Sequence, residues 1–193
     1  MNDAAPMNDA ARRFFFLLCS TRRLGNSEQL AYCAAHPLPP QTKQQWLQLR
    51  DCPLPEFIDM RHHGSFPVPT GNVQKLLDAT LEATDLVLAA PLLWYSLPAA
   101  AKHYLDYWYV WLRTPNLQFK EKMHGKTLWA IIVSSDSLLD AAPLEATLKL
   151  TAQAMGMRWG GMLYGTGSRP NDIQHDVKAL QGARTFFLDP PSN

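Results

Sequence analysis

Short apolar runs alternate along this chain with stretches of helical periodicity, and few folds accommodate such an alternation. The first run, Arg12 to Ser20, is almost continuously apolar, which is typical of a strand buried on both faces. Strands are predicted over residues 12–20, 46–52, 86–90, 126–134 and 159–164. Helices are predicted over residues 26–36, 70–83, 98–112, 143–157 and 173–188. Five such alternations indicate an α/β fold, in which right-handed crossovers place helices on both faces of a parallel sheet.

The length and composition fit one domain. The chain has 193 residues, of which 47% are hydrophobic and 18% charged, so it can bury a sizeable core. The sequence Met-Asn-Asp-Ala-Ala occurs twice near the start and lacks apolar periodicity. We therefore predict a flexible tail over residues 1–11 and a single domain over residues 12–193. No apolar stretch approaches the ~20 residues that span a bilayer, so no membrane segment is predicted.

The net charge and the cysteines indicate which partners, disulfides and metal sites to expect. The chain has 18 Lys and Arg against 17 Asp and Glu, a net charge of +1. No overall attraction to nucleic acid or to an anionic membrane is expected from this balance. Cys19, Cys33 and Cys52 are odd in number and lack C-x-x-C spacing, which predicts neither a disulfide framework nor a zinc site. Reduced thiols and a cytoplasmic location are therefore expected.

Two loops follow predicted strands at the edge where parallel sheets bind ligands. The first, residues 20–27, leads into a helix that Asn26 or Ser27 can cap. Free amides at this helix start, together with Arg22, suit an anion such as phosphate, although solvated arginines beside an ordinary capped turn are an equal alternative. The second loop, residues 91–98, contains Trp94 and Tyr95. These aromatics suit stacking on a flat ligand, or else they pack locally beneath the long Pro-rich loop 53–69.

No protein nucleophile and no metal site are predicted. Ser96 lies outside a G-x-S-x-G turn, so a triad with His103 and Asp106 is disfavoured. Lys102 and Asp106 are spaced as an i,i+4 ion pair. The pair His62–His63 has no acidic or cysteine partner at usable spacing, so solvated histidines are favoured there.

Three motifs together resemble a known family. They are S-x-R-x-x-x-N-S over residues 20–27, P-x-x-W-Y-S-x-P over residues 91–98 and K-x-x-x-D over residues 102–106. This arrangement resembles the NADPH-dependent FMN reductase family of flavodoxin-like proteins, and the resemblance extends over residues 12–188. It implies a three-layer sandwich around a five-stranded parallel sheet in the order 2-1-3-4-5, one FMN per subunit and a homodimer.

The resemblance also assigns residues of this chain to an FMN site. The phosphate would be held by Ser20, Arg22, Asn26 and Ser27, with Gly25 allowing close backbone approach. The isoalloxazine ring would be bordered by Pro91, Leu92, Leu93, Trp94 and Tyr95, and its pyrimidine side by Ser134 and Ser135. The chain departs from the family at Cys19, where many members have Gly, at Leu93, where many have Tyr or Asn, and at Ser134-Ser135-Asp136, which replaces a glycine pair.

The function implied is an NAD(P)H-dependent oxidoreductase. Hydride would pass from the nicotinamide through FMN to a small acceptor such as a quinone or free flavin, which requires stacked rings but no protein nucleophile. One alternative is a flavodoxin-type electron-transfer protein, which the near-zero net charge disfavours because such carriers dock through a face of one sign. Another is a flavin-free interaction protein on the same fold.

The predicted helix 98–112 is apolar on more than one side. One stripe is formed by Tyr104, Tyr107, Trp108 and Trp111, and a second by Leu105, Tyr109 and Leu112. Burying a single face would leave aromatic residues outside. A homodimer interface through this helix is therefore predicted, with deep packing beneath another loop as the alternative.

Overall fold

A five-stranded parallel sheet forms the centre of the protein. The computed structural model describes residues 12–60, 62, 64 and 66–188, so the predicted tail over residues 1–11 lies outside the described residues. The strands are β1 (Arg13–Leu18), β2 (Lys43–Gln48), β3 (Asp85–Pro91), β4 (Thr127–Ser134) and β5 (Arg158–Thr166). All pairings are parallel and the order is β2-β1-β3-β4-β5. The fold and strand order expected from the sequence are confirmed.

Helices cover both faces of this sheet. They are α1 (Asn26–Ala35), α2 (Gly71–Glu82), α3 (Ala99–Arg113), α4 (Phe119–Met123), α5 (Ala142–Ala154) and α6 (Val177–Ala183). Side chains of α1 and α6 pack with Phe14, Phe16 and Val87 on one face, and α2 to α5 pack with Phe15 and Leu17 on the other. No helix within the described ranges combines the length and apolar character that a bilayer crossing requires.

The three central strands are apolar because both of their faces are covered. In β1, alternate side chains enter opposite cores, and Phe14 to Leu18 are all buried. The edge strand β2, with sequence KQQWLQ, contains no fully buried residue. The strand predicted over residues 46–52 was therefore wrong at both ends. The strand begins earlier, at Lys43, because its first residues are polar and show no apolar run, and it ends at Gln48. Residues Leu49–Asp51 form a single 3₁₀ turn instead.

Two helical predictions also differ from the structure. The last helix was expected over residues 173–188, but a 3₁₀ turn over Asp172–His175 precedes α6, which begins only after Asp176. The Asp176 carboxylate accepts hydrogen bonds from the amides of Ala179 (2.9 Å) and Thr166 (2.7 Å), so it starts a new helix rather than continuing one. The five-residue helix α4 was not predicted, because it is too short to show periodicity.

The aromatic residues of α3 find partners within one chain. Trp108 and Trp111 contact the ring of Phe119 in α4 at centroid distances of 5.9 and 5.3 Å. The segment after β2 covers the outer side of the helix, where the Tyr107 hydroxyl donates a hydrogen bond to the Pro55 carbonyl at 2.9 Å. Packing within the chain therefore covers the first stripe, whereas Leu105 and Tyr109 of the second stripe are half-buried and Leu112 is 42% exposed. The homodimer through this helix stays a prediction.

A buried ion pair joins the strands at the amino edge of the sheet. The Arg12 guanidinium contacts the Asp85 carboxylate at 2.6 Å, and the two side chains are only 6% and 4% exposed. Arg12 also donates to the carbonyl of Phe187 at 2.6 Å, and the Trp129 indole N–H donates to Asp85 at 2.9 Å. This network connects β1, β3, β4 and the C-terminal segment, on the side of the sheet opposite to the ligand-binding edge.

Replacing Arg12 by Met is expected to lower the free energy of unfolding by about 3–5 kcal/mol, because it leaves the Asp85 carboxylate buried without its cation. Urea denaturation of the purified protein measures this change. The matched control is Lys102→Met, which breaks the predicted i,i+4 pair with Asp106; that pair is present and solvent-exposed, so the control should cost less than about 1 kcal/mol. Equal losses for the two variants would contradict the expectation.

Candidate functional site

A cleft of about 300 Å³ opens at the carboxyl edge of the sheet. The loops after β1, β3, β4 and β5 meet there. Nine of the twelve residues that the sequence assigns to a cofactor line this cleft: Ser20, Arg22, Asn26, Ser27, Pro91, Leu92, Leu93, Ser134 and Ser135. The lining also contains Thr21, Val133, Asp136, Gly167 and Ser168, which were not assigned. Gly25, Trp94 and Tyr95 lie in the same loops but outside the lining.

The first loop leads into α1 without a side-chain cap. Its N-cap residue is Gly25, so the expectation that Asn26 or Ser27 caps the helix is wrong. The Asn26 amide group instead donates to the carbonyl of Arg169 in the loop after β5, at 2.9 Å. The first amide of α1 that bonds within the helix is that of Gln29, at 2.9 Å from the Gly25 carbonyl. The amides of Asn26 and Ser27 precede it, so they can donate to an anion.

A buried carboxylate holds the shape of this loop. Glu28 is 3% exposed and accepts hydrogen bonds from the Leu24 amide at 2.6 Å and from the Gln48 side chain at 2.8 Å. Leu24 adopts a left-handed φ of 52°, an uncommon state for a leucine. The sequence patterns gave Glu28 no role in the loop. The available signal was an acidic residue at the third helical position, but without a capping serine or threonine it did not form a capping box.

Three arginines lie in or beside the first loop, at the end of the cleft where the sequence predicts a phosphate. Arg50 donates to the carbonyl of Thr21 at 2.6 Å, and Arg23 pairs with Asp51 at 3.0 Å, so both are engaged in fixing the loop. Arg22 contacts the carbonyl of Ser168 at 3.4 Å and forms no ion pair within the described part of the chain. Its positive charge therefore remains available to a ligand.

The second loop is a two-residue β-hairpin. Leu93 and Ser96 exchange two backbone hydrogen bonds of 3.0 Å each, and between them Trp94 and Tyr95 adopt left-handed φ values of 49° and 60°. Such turns strongly favour Asn-Gly, so two large aromatics in this conformation are under strain. Trp94 is 93% exposed and Tyr95 54%. The alternative that they pack locally beneath loop 53–69 is therefore wrong.

The loop after β4 is closed by its own side chains. The Ser134 hydroxyl donates to the Asp136 carboxylate at 3.0 Å and accepts from the Asp136 amide at 3.1 Å. The Tyr164 hydroxyl donates to the Asp136 carbonyl at 2.8 Å. Partial burial is the largest cause that raises the pKa of Tyr164, so this phenol stays a neutral donor near pH 7. The loop thus brings the carboxylate of Asp136 into the cleft wall.

The loop after β5 completes the cleft. The Asp172 carboxylate accepts from the amides of Ser168 (3.0 Å) and Arg169 (2.7 Å), and these bonds lower the pKa of Asp172. Gly167 lies so close to the first loop that an added Cβ would stand 2.9 Å from the Asn26 side-chain nitrogen. The residues of this loop match no ligand motif, so none of them was assigned to the cofactor from the sequence.

Cys19, which lies between β1 and the first loop, is not a reactive thiol. It is 2% exposed, and burial raises its pKa to about 12. A neutral thiol at physiological pH is a poor nucleophile, so the cleft offers no thiolate chemistry at this position.

A second, larger cavity of about 670 Å³ lies elsewhere, between the segment after β2 and the outer side of α3. Its walls are mainly apolar and include Phe57, Met60 and Phe66. It shares no lining residue with the cleft at the sheet edge. The polar, amide-rich cleft is thus the site whose residues can hold an anionic ligand with a flat polar ring.

Known proteins share the sequence pattern of this chain. The sequence pattern of the family described as flavodoxin-like fold matches residues 21–185. A curated Bacillus subtilis protein, named as the NAD(P)H-dependent FMN-containing oxidoreductase YwqN, is 29% identical over 166 residues, covering 84% of this chain and 90% of that protein.

Solved structures share the architecture. The Trp repressor binding protein from Bacillus subtilis superimposes with a TM-score of 0.72 and 24% identity, over 93% of this chain and 99% of that one. The NAD(P)H:quinone oxidoreductase from Methanothermobacter marburgensis gives a TM-score of 0.66 and 15% identity, over 93% of this chain and 100% of that one. At these identities the likeness shows a common fold.

Replacing Trp94 by Asn and Tyr95 by Gly together is expected to raise the free energy of unfolding by about 1–2 kcal/mol, because it relieves two left-handed aromatic residues. Urea denaturation measures the change. The control variant Trp94→Ala/Tyr95→Ala removes the same rings but keeps two side chains in the left-handed region, so it should give no such gain. If the Asn-Gly variant is no more stable than this control, the hairpin is not strained.

Proposed function

The chain belongs to the flavodoxin-like fold family, and from this we propose that it is an oxidoreductase that binds FMN in the cleft and passes hydride from NAD(P)H to a small acceptor. Quinones and free flavins are the acceptor classes that we propose. The resemblance to NADPH-dependent FMN reductases is confirmed by the family match and by the name of the Bacillus subtilis relative.

The phosphate end of the cleft fits the proposed cofactor. Uncapped amides of Asn26 and Ser27 stand at the positive end of α1, and Arg22 has no competing carboxylate among the described residues. An added Cβ on Gly25 would stand 3.3 Å from the Ser20 hydroxyl oxygen, so the glycine keeps the loop compact. Donors without an acceptor of their own, gathered at a helix start, are what a phosphate dianion requires.

The other end of the cleft fits a flat ring with a polar edge. Leu92 and Leu93 supply an apolar wall, and the hairpin beyond them presents Trp94 and Tyr95 to solvent. Within the described ranges, neither the Trp94 nor the Tyr95 amide takes part in a backbone–backbone hydrogen bond. We propose that these amides donate to the ring edge and that the exposed aromatics frame the entry for the nicotinamide and the acceptor.

FMN supplies the two-electron chemistry when it is bound, and the residues of this chain bind and orient it. Hydrogen bonds within the chain fix the two walls, one between Ser134 and Asp136 and one pair between Leu93 and Ser96. Fixed walls lower the cost of bringing two rings into a stacked arrangement. The buried, neutral Cys19 thiol leaves hydride transfer without a competing nucleophile in the first loop.

One observation carries this proposal. Residues from three separate loops, assigned to the parts of FMN from the sequence, line one cleft, and the helix that begins there has no side-chain cap. The predicted homodimer and the cytoplasmic location are independent of this observation, and both remain predictions.

The test uses the purified full-length chain. We expect it to bind FMN and to show flavin absorbance that NADH or NADPH bleaches under anaerobic conditions, without a partner reductase. Arg22→Met should weaken FMN binding about tenfold and leave riboflavin binding unchanged, because only FMN carries the phosphate. The charge-matched control, Arg184→Met, changes a surface residue at the end of α6 and should leave both affinities unchanged.

Two outcomes would count against the proposal. Failure of the wild-type chain to bind FMN would favour a flavin-free interaction protein. Bound FMN that neither nucleotide bleaches would favour an electron-transfer protein that receives its electrons from a partner.

A further inference from the structure

We infer that Asp136 determines which redox state of the cofactor this cleft prefers: its carboxylate favours oxidised FMN over reduced FMN. This inference rests on the proposed function, because it requires FMN in the cleft. It concerns a residue that lines the cleft and to which the sequence assigned no role in the site.

The Asp136 carboxylate is fixed at the wall of the cleft. It follows β4 and lines the cleft together with Leu92 and Leu93, the residues proposed to border the ring. Its side chain is held by the Ser134 hydroxyl at 3.0 Å, and its backbone carbonyl by the Tyr164 hydroxyl at 2.8 Å. The first contact fixes the carboxylate itself and the second fixes the backbone that carries it, so the charge keeps its place in the cleft wall.

This charge has no cation to neutralise it. Within the described part of the chain, no Lys, Arg or His lies within ion-pair distance of Asp136, whereas Arg23 and Arg50 each face Asp51. The other acidic groups near Tyr164 are Asp140 and Asp176, which have the same sign. The uncommitted Arg22 belongs to the first loop. The cleft is therefore positive at the helix start and negative after β4.

Hydride transfer changes the charge that this wall faces. A neutral flavin ring that accepts hydride from NAD(P)H gains two electrons and one proton, so the products are an anionic reduced flavin and NAD(P)⁺. A fixed carboxylate repels that new negative charge. The oxidised ring is neutral, so it meets no such repulsion. The wall thus stabilises the oxidised form relative to the reduced form, and the bound cofactor becomes a stronger reductant towards its acceptor.

A merely structural role for Asp136 makes a different prediction. If its carboxylate only closes the turn with Ser134, then Asp136→Asn should preserve the closure, because an amide oxygen also accepts a hydrogen bond. The turn would then be kept while the charge is lost. The affinity of the cleft for each redox state separates the two roles, and this readout does not depend on turnover.

The experiment measures the midpoint potential of FMN bound to the full-length protein by anaerobic reductive titration, together with the dissociation constant of oxidised FMN. In wild type and in Asp136→Asn we compare the ratio of the affinity for reduced FMN to the affinity for oxidised FMN. The variant should raise this ratio about tenfold, which raises the two-electron potential by about 30 mV. Asp136→Glu keeps the charge and should stay close to wild type. The difference in potential between wild type and Asp136→Asn should shrink at high salt, because ions screen the carboxylate.

The matched control is Asp140→Asn. Asp140 lies in the 3₁₀ turn Leu138–Ala141 that follows the loop, where its carboxylate accepts hydrogen bonds from the Ser137 amide and hydroxyl, and it does not line the cleft. This variant makes the same change in net charge and should move the affinity ratio less than twofold. If FMN binds and Asp136→Asn shifts the ratio no more than this control, the inference is wrong while the proposed function stands. If wild type binds no FMN, both are wrong.

Discussion

The side chains of β1, β3 and β4 are buried on both faces of the sheet, and this burial confines the ligand-binding groups to the loops. Parallel pairing then brings the carboxyl ends of neighbouring strands to one edge. A chain with this core has its polar loops gathered there whatever its detailed loop sequences are. The cleft follows from the hydrophobic pattern of three strands, and its chemistry follows from the few residues after each of them.

The loops at this edge are held in shape by contacts within the chain. Glu28 holds Leu24 in a left-handed conformation, and the hairpin bonds hold Trp94 and Tyr95 in another. Strained backbone of this kind persists where surrounding contacts determine it and is concentrated at functional sites. In the first loop the result is a helix start whose amides remain available, and in the second it is an exposed pair of aromatics. The apolar cores on the two faces of the sheet offset the cost of this strain.

The sequence could predict the sheet and most of the cleft because both depend on local patterns: continuous apolar runs, and short motifs directly after them. Other features depend on contacts between distant segments. The polar edge strand β2 shows no apolar run, Asp176 ends one turn and begins α6 through bonds that include Thr166, and Glu28 acts on a loop by burial. The aromatic stripes of α3 suggested a second subunit because the segment that covers them has no periodicity of its own.

We propose that FMN lies along the carboxyl edge of the sheet, with its phosphate on the amides that begin α1. A crystal structure of the chain grown with saturating FMN would test this placement. We expect phosphate oxygens within hydrogen-bond distance of the Asn26 and Ser27 amides and a ring beside Leu92 and Leu93. Density for FMN in the apolar cavity beneath the segment after β2, or a cleft filled by protein side chains, would contradict it.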